Sequence, residues 1–278
     1  MRRDQKYTTF LELHKGKSAF VMPNPWDAGS ARVLAAEGFG ALATTSAGAA
    51  VTQGLRDGAA SMTRAAILSN AAEIVAATDL PVSADLEDGF GLAPETCAKT
   101  IVMAAEVGLV GGSIEDATSE EDAGIMDMGL AVERIAAAAE AAKTHQFVLT
   151  ARSENYLHGR PDLKDTIARL QAFETAGADV LYAPGLPDLD AIRAVCSEVG
   201  KPVNVVMGLR PPFFTVQELS EAGVKRVSVG GSLARLAYGA VQQAMRAVLQ
   251  DGEFAYADKA MPGAELMGLM RAAPTSRV

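Results

Sequence analysis

Four acids that each follow a short apolar run are the residues best placed to do chemistry in this chain: Asp57 in QGLRDG, Asp85 and Glu87 in PVSADLEDGFG, and Glu115 in VGGSIEDA. Acids at the ends of successive buried strands converge on one point in a parallel barrel, and carboxylates held that close repel one another unless a cation joins them. No His or Cys stands in these segments, so the donor set is oxygen alone and selects Mg²⁺, or Mn²⁺, over zinc. Arg152, which ends the apolar run in FVLTARSENY, would aim a guanidinium at the same point and could hold an anion beside the metal. The expected ligand is a small carboxylate.

Asp85 and Glu87 are two residues apart, so an extended segment puts both side chains on one side. A strand-end acid can also cap the following helix or pair with a lysine, and Arg152 can simply neutralise the acids around it. Asp88 and Asp116 read as solvent-facing or capping residues. Other strand ends supply Asn24, Trp26 and Asp27, then Thr45, Ser46, Ala47 and Gly48 in TTSAGAA, and further on Glu154 and Asn204. The hydroxyls and N–H groups of TTSAGAA, on a Gly-containing turn, could cradle a carboxylate. On the loop after the fifth strand, Tyr156 and His158 are candidates for moving protons, as is Asp57, while His14 and His145 read as surface residues. There is no Ser/His/Asp order of the hydrolase type, no GxxxxGK[ST] and no GxGxxG after a strand, which leaves nucleotide-dependent chemistry without support.

Acids at strand ends do chemistry together only if the fold gathers those ends. Short β-branched runs at 19–22, 41–44, 81–85, 112–115, 147–151, 180–183, 203–207 and 227–229 alternate with helical periodicity at 28–37, 64–78, 94–107, 129–143, 163–176, 188–198, 215–222 and 232–250. Several of the helical segments end in a glycine suited to a C-cap, at 38, 108, 177, 200 and 223. Eight alternating pairs predict a (β/α)8 barrel spanning 1–278 as a single domain, with a C-terminal helical extension from about 251. Met261, Met267 and Met270 in that extension call for a partner surface, on the barrel or on another subunit.

Composition agrees with such a barrel. The chain has 278 residues, 49% hydrophobic with 5% aromatic, a core of Ala, Val, Leu and Ile suited to parallel strands wrapped in Ala-rich helices. A net charge of −9 without a basic stripe excludes nucleic acid as the expected partner. The two cysteines, Cys97 and Cys196, sit in helical segments without a CxxC or Cys/His partner and read as reduced and structural. Neither a signal-peptide core nor a membrane-spanning run is present, so the expectation is a cytoplasmic protein that does not enter membranes.

The segments NPWDAGSARVLAAEGFGALATTSAGAA, ADLEDGFG, SIEDA, TARSENYL, KPVNVVMG and VKRVSVGGSLARLAYGA, in this order, resemble the isocitrate lyase and phosphoenolpyruvate mutase superfamily nearly end to end. The resemblance implies a (β/α)8 barrel whose eighth helix is swapped between subunits, assembled as a homotetramer from such pairs or as a homodimer. It also implies Mg²⁺ held mostly through waters by Asp85, Glu87 and Glu115; beside it, Asp57 is the residue expected to position metal-bound water. The substrate would be an α-keto or α-hydroxy acid whose carboxylate meets Ser46 to Gly48 and Arg152. The shared chemistry is stabilisation of a pyruvate enolate.

Departures from the pattern narrow the reaction. The carbon–carbon lyases carry a Lys-x-Cys-Gly-His loop after the I-E-D segment, whereas EDATSEEDAGIMDMGLAVERI has no Cys, His or Lys. The mutase and hydrolase members carry E-D-K, where this chain has Ala117, and no Asn follows on the loop. What remains is loss of CO₂ from oxaloacetate or a related acid. Cleavage of a 2-alkylmalate or methylisocitrate-like acid, carbon–phosphorus chemistry on phosphonopyruvate, and a noncatalytic metabolite-binding barrel are the alternatives. The acidic stretch 119–127 reads as a candidate lid.

Overall fold

The computed structural model describes residues 1–58, 61–118 and 124–270. Its elements in chain order are α1 (Arg3–His14), β1 (Phe20–Met22), α2 (Ala28–Ala36), β2 (Leu42–Ala43), α3 (Ser46–Thr52), α4 (Arg64–Ala77), β3 (Val82–Asp85), α5 (Pro94–Glu106), β4 (Gly111–Glu115) and α6 (Met128–Thr144). They continue as β5 (Val148–Arg152), α7 (Leu163–Ala176), β6 (Val180–Tyr182), α8 (Leu189–Glu198), β7 (Val203–Val206), α9 (Val216–Glu221), β8 (Arg226–Ser228), α10 (Ser232–Asp251), a 3₁₀ turn (Ala255–Lys259) and α11 (Gly263–Leu269). All eight expected strands are present and parallel, in the spatial order β1-β8-β7-β6-β5-β4-β3-β2. The seam between β1 and β2 is bridged by the Ala43 N–H donating to Pro23 O at 3.0 Å. Asn24 ties the same seam at the top: its amide donates to Thr44 O, and its oxygen accepts from the Val229 and Gly230 N–H groups. The (β/α)8 expectation is met, with element ends displaced by a residue or two.

Two apolar regions flank the strands. Outward residues such as Leu42, Val82, Ile114, Leu149 and Leu181 pack under the helices with Ile67, Ile101, Ile135 and Phe173. Phe10 of α1 packs with Met22, Val110, Val148 and Val180 and plugs the foot of the barrel. The alternation of the strands separates the two sets, one facing the helices and the other the barrel axis.

Some expectations need correction. His14 is buried rather than on the surface, with Nδ1 2.7 Å from Phe10 O. A carbonyl only accepts, so the Nδ1 proton points there and Nε2 is left as an acceptor. TTSAGAA is not a turn but the first two turns of α3, with Thr45 as N-cap accepting from the Gly48 N–H at 3.3 Å. Gly200 is not a left-handed cap; its N–H donates to Glu174 Oε2 at 2.8 Å. Asp27 caps α2 by accepting from the Ser30 N–H. α1 has no counterpart in the sequence reading. The first five residues of the 119–127 stretch lie outside the described residues.

α10 runs for 20 residues with only Ala234 buried. Leu236, Tyr238, Val241, Met245 and Leu249 are all exposed along it. α11 lies against α2, so the extension returns toward its own barrel, although Met267 remains exposed. Among the described residues no helix is long and apolar enough to cross a membrane.

Candidate active site

β3, β4 and β5 end on the same rim, and the register pairs Asp85 with Ser113 and Glu115 with Arg152. Arg152 is the hub of the rim. Its Nη1 lies 2.7 Å from Glu115 Oε1 and 3.2 Å from Asp85 Oδ1, and its Nε donates to Glu154 Oε1 at 2.8 Å. The guanidinium stacks 4.9 Å from the ring centre of Tyr182, the β6 residue registered beside it. Burial works against the charge on Arg152, but Glu115, Glu154 and Asp85 together hold it firmly protonated.

Asp85 is fixed from the other side by α3. Ser46 donates to Asp85 Oδ2 through its hydroxyl at 2.8 Å and its N–H at 3.3 Å. The donors expected to cradle a substrate carboxylate are thus directed at Asp85. Asp57, on the loop after α3, stands 3.5 Å from the Ser46 hydroxyl. Gly48 permits this arrangement, because a Cβ there would lie 2.7 Å from both Thr45 Cγ2 and Trp26 Cβ.

Glu87 follows β3 in a left-handed backbone conformation, φ 48°, unusual for a residue with a Cβ. The loop that holds it is pinned by Arg134 of α6, which donates to the carbonyls of Asp88 and Gly91. The Glu115 N–H also donates to Glu87 O at 2.9 Å. Burial, then the neighbouring Asp85, Asp57 and Asp88, push the Glu87 carboxyl up to about 8. Burial likewise raises Glu115 well above the carboxylate range, Arg152 pulling against it, and desolvation followed by Asp85 raises Asp57.

Asp88 and Asp116 face neither solvent nor a helix end; both are buried. Asp116 accepts from the Glu154 N–H at 2.8 Å and pairs with Arg169 of α7 at 3.1 Å. Burial raises it to about 6. This pair sets the backbone that carries Glu154 into Arg152. Sequence reasoning missed it because Arg169 lies 53 residues away on another element.

The rim encloses a cavity of about 1170 Å³. Thr45, Ser46, Ala47, Gly48, Asp57, Asp85, Glu87, Glu115, Arg152 and His158 all line it, which gathers most of the expected site residues. Three fall elsewhere. Trp26 packs behind Gly48, Tyr156 lies beside Gly185 outside the lining, and Asn204 is buried lower in the barrel, bonded to Ser228 and Arg226. Residues not foreseen are Tyr182, beside Arg152, and Leu157, Leu186, Leu209, Arg210 and Tyr238 in the cavity wall. The one available signal was that Tyr182 ends the sixth strand at the level of Arg152.

Three carboxylates (Asp85, Glu115, Glu154) contact the Arg152 guanidinium, and two more (Asp57, Glu87) line the same cavity. Among the described residues no three acidic, His or Cys side chains converge closely enough to bind an ion directly. The all-oxygen donors and the surplus negative charge fit a hard dication that keeps most of its own waters, as Mg²⁺ does. Asp85, Glu87 and Glu115 would hold such an ion, with Asp57 at its edge.

The phosphoenolpyruvate phosphomutase family model matches residues 10–249. A crystal structure from Burkholderia cenocepacia J2315, provisionally named a lyase/mutase, is 55% identical with a TM-score of 0.94, covering 98% of this chain and 97% of that one. An uncharacterised protein of Mycobacterium tuberculosis is 34% identical over 93% of this chain and 94% of its own length. The 2-methylisocitrate lyase of Shewanella oneidensis is 32% identical over 77% and 75% respectively. The oxaloacetate decarboxylase of Pseudomonas fluorescens is 27% identical over 82% and 79%.

Proposed function

Because this chain belongs to the phosphoenolpyruvate phosphomutase family, within the isocitrate lyase and phosphoenolpyruvate mutase superfamily, we propose that it is a Mg²⁺-dependent lyase that decarboxylates a small α-keto dicarboxylic acid such as oxaloacetate. The observation that carries this reading is the rim itself, where Asp85 and Glu115 pair with Arg152 and Glu87 lines the same cavity. When bound, the cation polarises the keto oxygen and stabilises the negative charge that develops there.

The chain's own residues do the rest. Arg152 is held charged and oriented by three carboxylates, so it offers a fixed donor to the substrate's anionic end without reorganising. Arrival of a substrate carboxylate frees the Ser46 hydroxyl and N–H from Asp85, and both can turn to it. Loss of CO₂ leaves an enolate that needs one proton. Ala117 is buried where mutase members carry lysine, and the stretch after it has no Cys, His or Lys, so solvent at the open mouth supplies that proton.

A second reading, cleavage of a carbon–carbon bond in a 2-alkylmalate or methylisocitrate-like acid, has His158 in its favour, a side chain that lines the cavity and could move the proton. The similarity to a 2-methylisocitrate lyase also supports it. Assembly with further copies through the apolar face of α10 belongs to both readings. Its first two turns line the cavity at Ala234, Arg235 and Tyr238, so a second copy seated there would also wall the mouth.

Oxaloacetate turnover to pyruvate with Mg²⁺, measured against Asp85→Ala and chelated enzyme, is the test. A saturable rate lost in both controls is the expected result. Equal background rates in wild type and variant exclude decarboxylation, and release of pyruvate with a second acid from 2-alkylmalates would then establish the second reading.

A further inference from the structure

The interior of a (β/α)8 barrel is ordinarily filled by layers of branched apolar side chains. In this barrel the middle is polar. Ser83, Ser113, Asn204, Arg226 and Ser228 line an inner cavity of about 70 Å³, whose upper end reaches Asp85 and Arg152. Arg226, on β8, is 3% exposed. Its Nε donates to Asn204 Oδ1 at 2.8 Å, its Nη2 to Thr150 Oγ1 at 2.9 Å, and its Nη1 lies 3.4 Å from His14 Nε2.

All three partners are neutral, and among the described residues Arg226 forms no ion pair with a carboxylate. Burial lowers its pKa only to about 9, so it stays charged at neutral pH. A buried cation without a counter-ion is strongly unfavourable. Asp85 cannot serve, since it is paired with Arg152 and Ser46 at the opposite end. Arg152 and Asp85, at the upper end, belong to the ion-pair network of the rim, which leaves Arg226 as the one charged side chain at the lower end with no carboxylate beside it. The hydroxyls of Ser83 and Ser113 are not engaged in any hydrogen bond within the described residues and border the same space. About 10–15 Å³ admits one water, so the cavity has room for an ion with part of its hydration.

We propose that this inner cavity is a binding site for one compact monovalent anion of the chloride class, held by Arg226 with the hydroxyls of Ser83 and Ser113 as further donors. A monovalent ion matches the single guanidinium that only neutral groups contact, and hydroxyl and amide donors complete its shell without a second cation. The site adjoins the substrate cavity from below, through Asp85 and Arg152, and does not depend on which acid the enzyme cleaves. Tyr182, whose ring lies under Arg152, belongs to the walls of both cavities.

Crystals of the full-length protein grown with bromide in place of chloride should show an anomalous peak inside the barrel beside Arg226. The melting temperature should be higher in chloride than in gluconate at equal ionic strength, rising by about 3 °C for each tenfold increase in chloride beyond half-saturation. Arg226→Met should lose that difference. If this variant fails to fold, the wild-type bromide and salt comparisons still decide the matter. Ordered water alone beside Arg226, or bromide peaks confined to the surface, with equal melting in both salts, would overturn the proposal.

Discussion

Glu87 concentrates the cost of building the rim in one residue. A non-glycine backbone at positive φ is strained and persists only where its surroundings over-determine it, and here Arg134 and the Glu115 N–H do so. Its carboxyl, raised to about 8, binds a proton more readily than an ordinary glutamate. A dication must displace that proton. Mg²⁺ binding should therefore tighten as pH rises toward about 8, by up to roughly tenfold per unit below that value, and release protons. Titration calorimetry at about pH 6.5 and about pH 8.5 in buffers of different ionisation enthalpy checks it, and a flat affinity would mean that Glu87 carries no competing proton. Asp85, Glu115 and Arg152 were legible in the sequence because strand alternation and strand ends fix where such side chains go, whereas Glu87, expected beside Asp85 in an extended segment, reaches the cavity from a left-handed loop residue past the end of β3. The commitment of Ser46 to Asp85, and the support of Glu154 by Asp116 and Arg169, were not legible. Both depend on how separate elements dock, which no local pattern encodes.

At the scale of elements, α3 and α1 do most to place these residues, and the sequence concealed both. α3 starts within a run of small residues that suits a turn as well as a helix, and only the Thr45 cap and the contact with Trp26 decide it. Gly48→Ala should cost about 1–3 kcal/mol by overpacking and lower turnover by displacing Ser46; a melting curve and steady-state rates would show both, and an unchanged variant would mean that α3 shifts freely. α1 buries Lys6, Phe10 and His14, a stripe spaced by four in which two of three residues are polar, so apolar periodicity could not reveal it. Lys6 satisfies its ammonium on Thr78 O at 2.9 Å. Burial, then Arg226, depress His14 to about 3, with the hydrogen bond to Phe10 O opposing them. The folded protein thus keeps His14 neutral while the unfolded chain takes up a proton below about 6.5. Stability from this residue is complete above about pH 6.5 and falls with acid toward about pH 3, by up to about 1.4 kcal/mol per unit. His14→Gln, which keeps a donor and an acceptor, should lose less stability than wild type between about pH 6.5 and about pH 4.5 in urea melts. Parallel acid slopes in the two proteins would contradict this.

For the molecule as a whole, eight alternating pairs made the barrel readable, since period-two and period-3.6 patterns survive in a single sequence. Assembly was not readable to the same degree, because an apolar helix face shows the need for a cover and not what supplies it. With Val241, Met245 and Leu249 exposed on α10, light scattering should return the mass of more than one chain. Val241→Glu with Leu249→Glu should reduce it to a single chain, and a wild-type monomer would refute assembly through this face. The plug at the foot of the barrel has a consequence for biosynthesis. α1 leaves the ribosome early, yet its His14 meets Arg226 only after 212 more residues have been made. At typical elongation rates that is about 10–40 s. Phe10 and Lys6 meet partners made earlier, on β1, β5 and β6, at Val110 and at Thr78, so a nascent chain arrested before β8 leaves the His14 edge of the plug uncovered and available to chaperones.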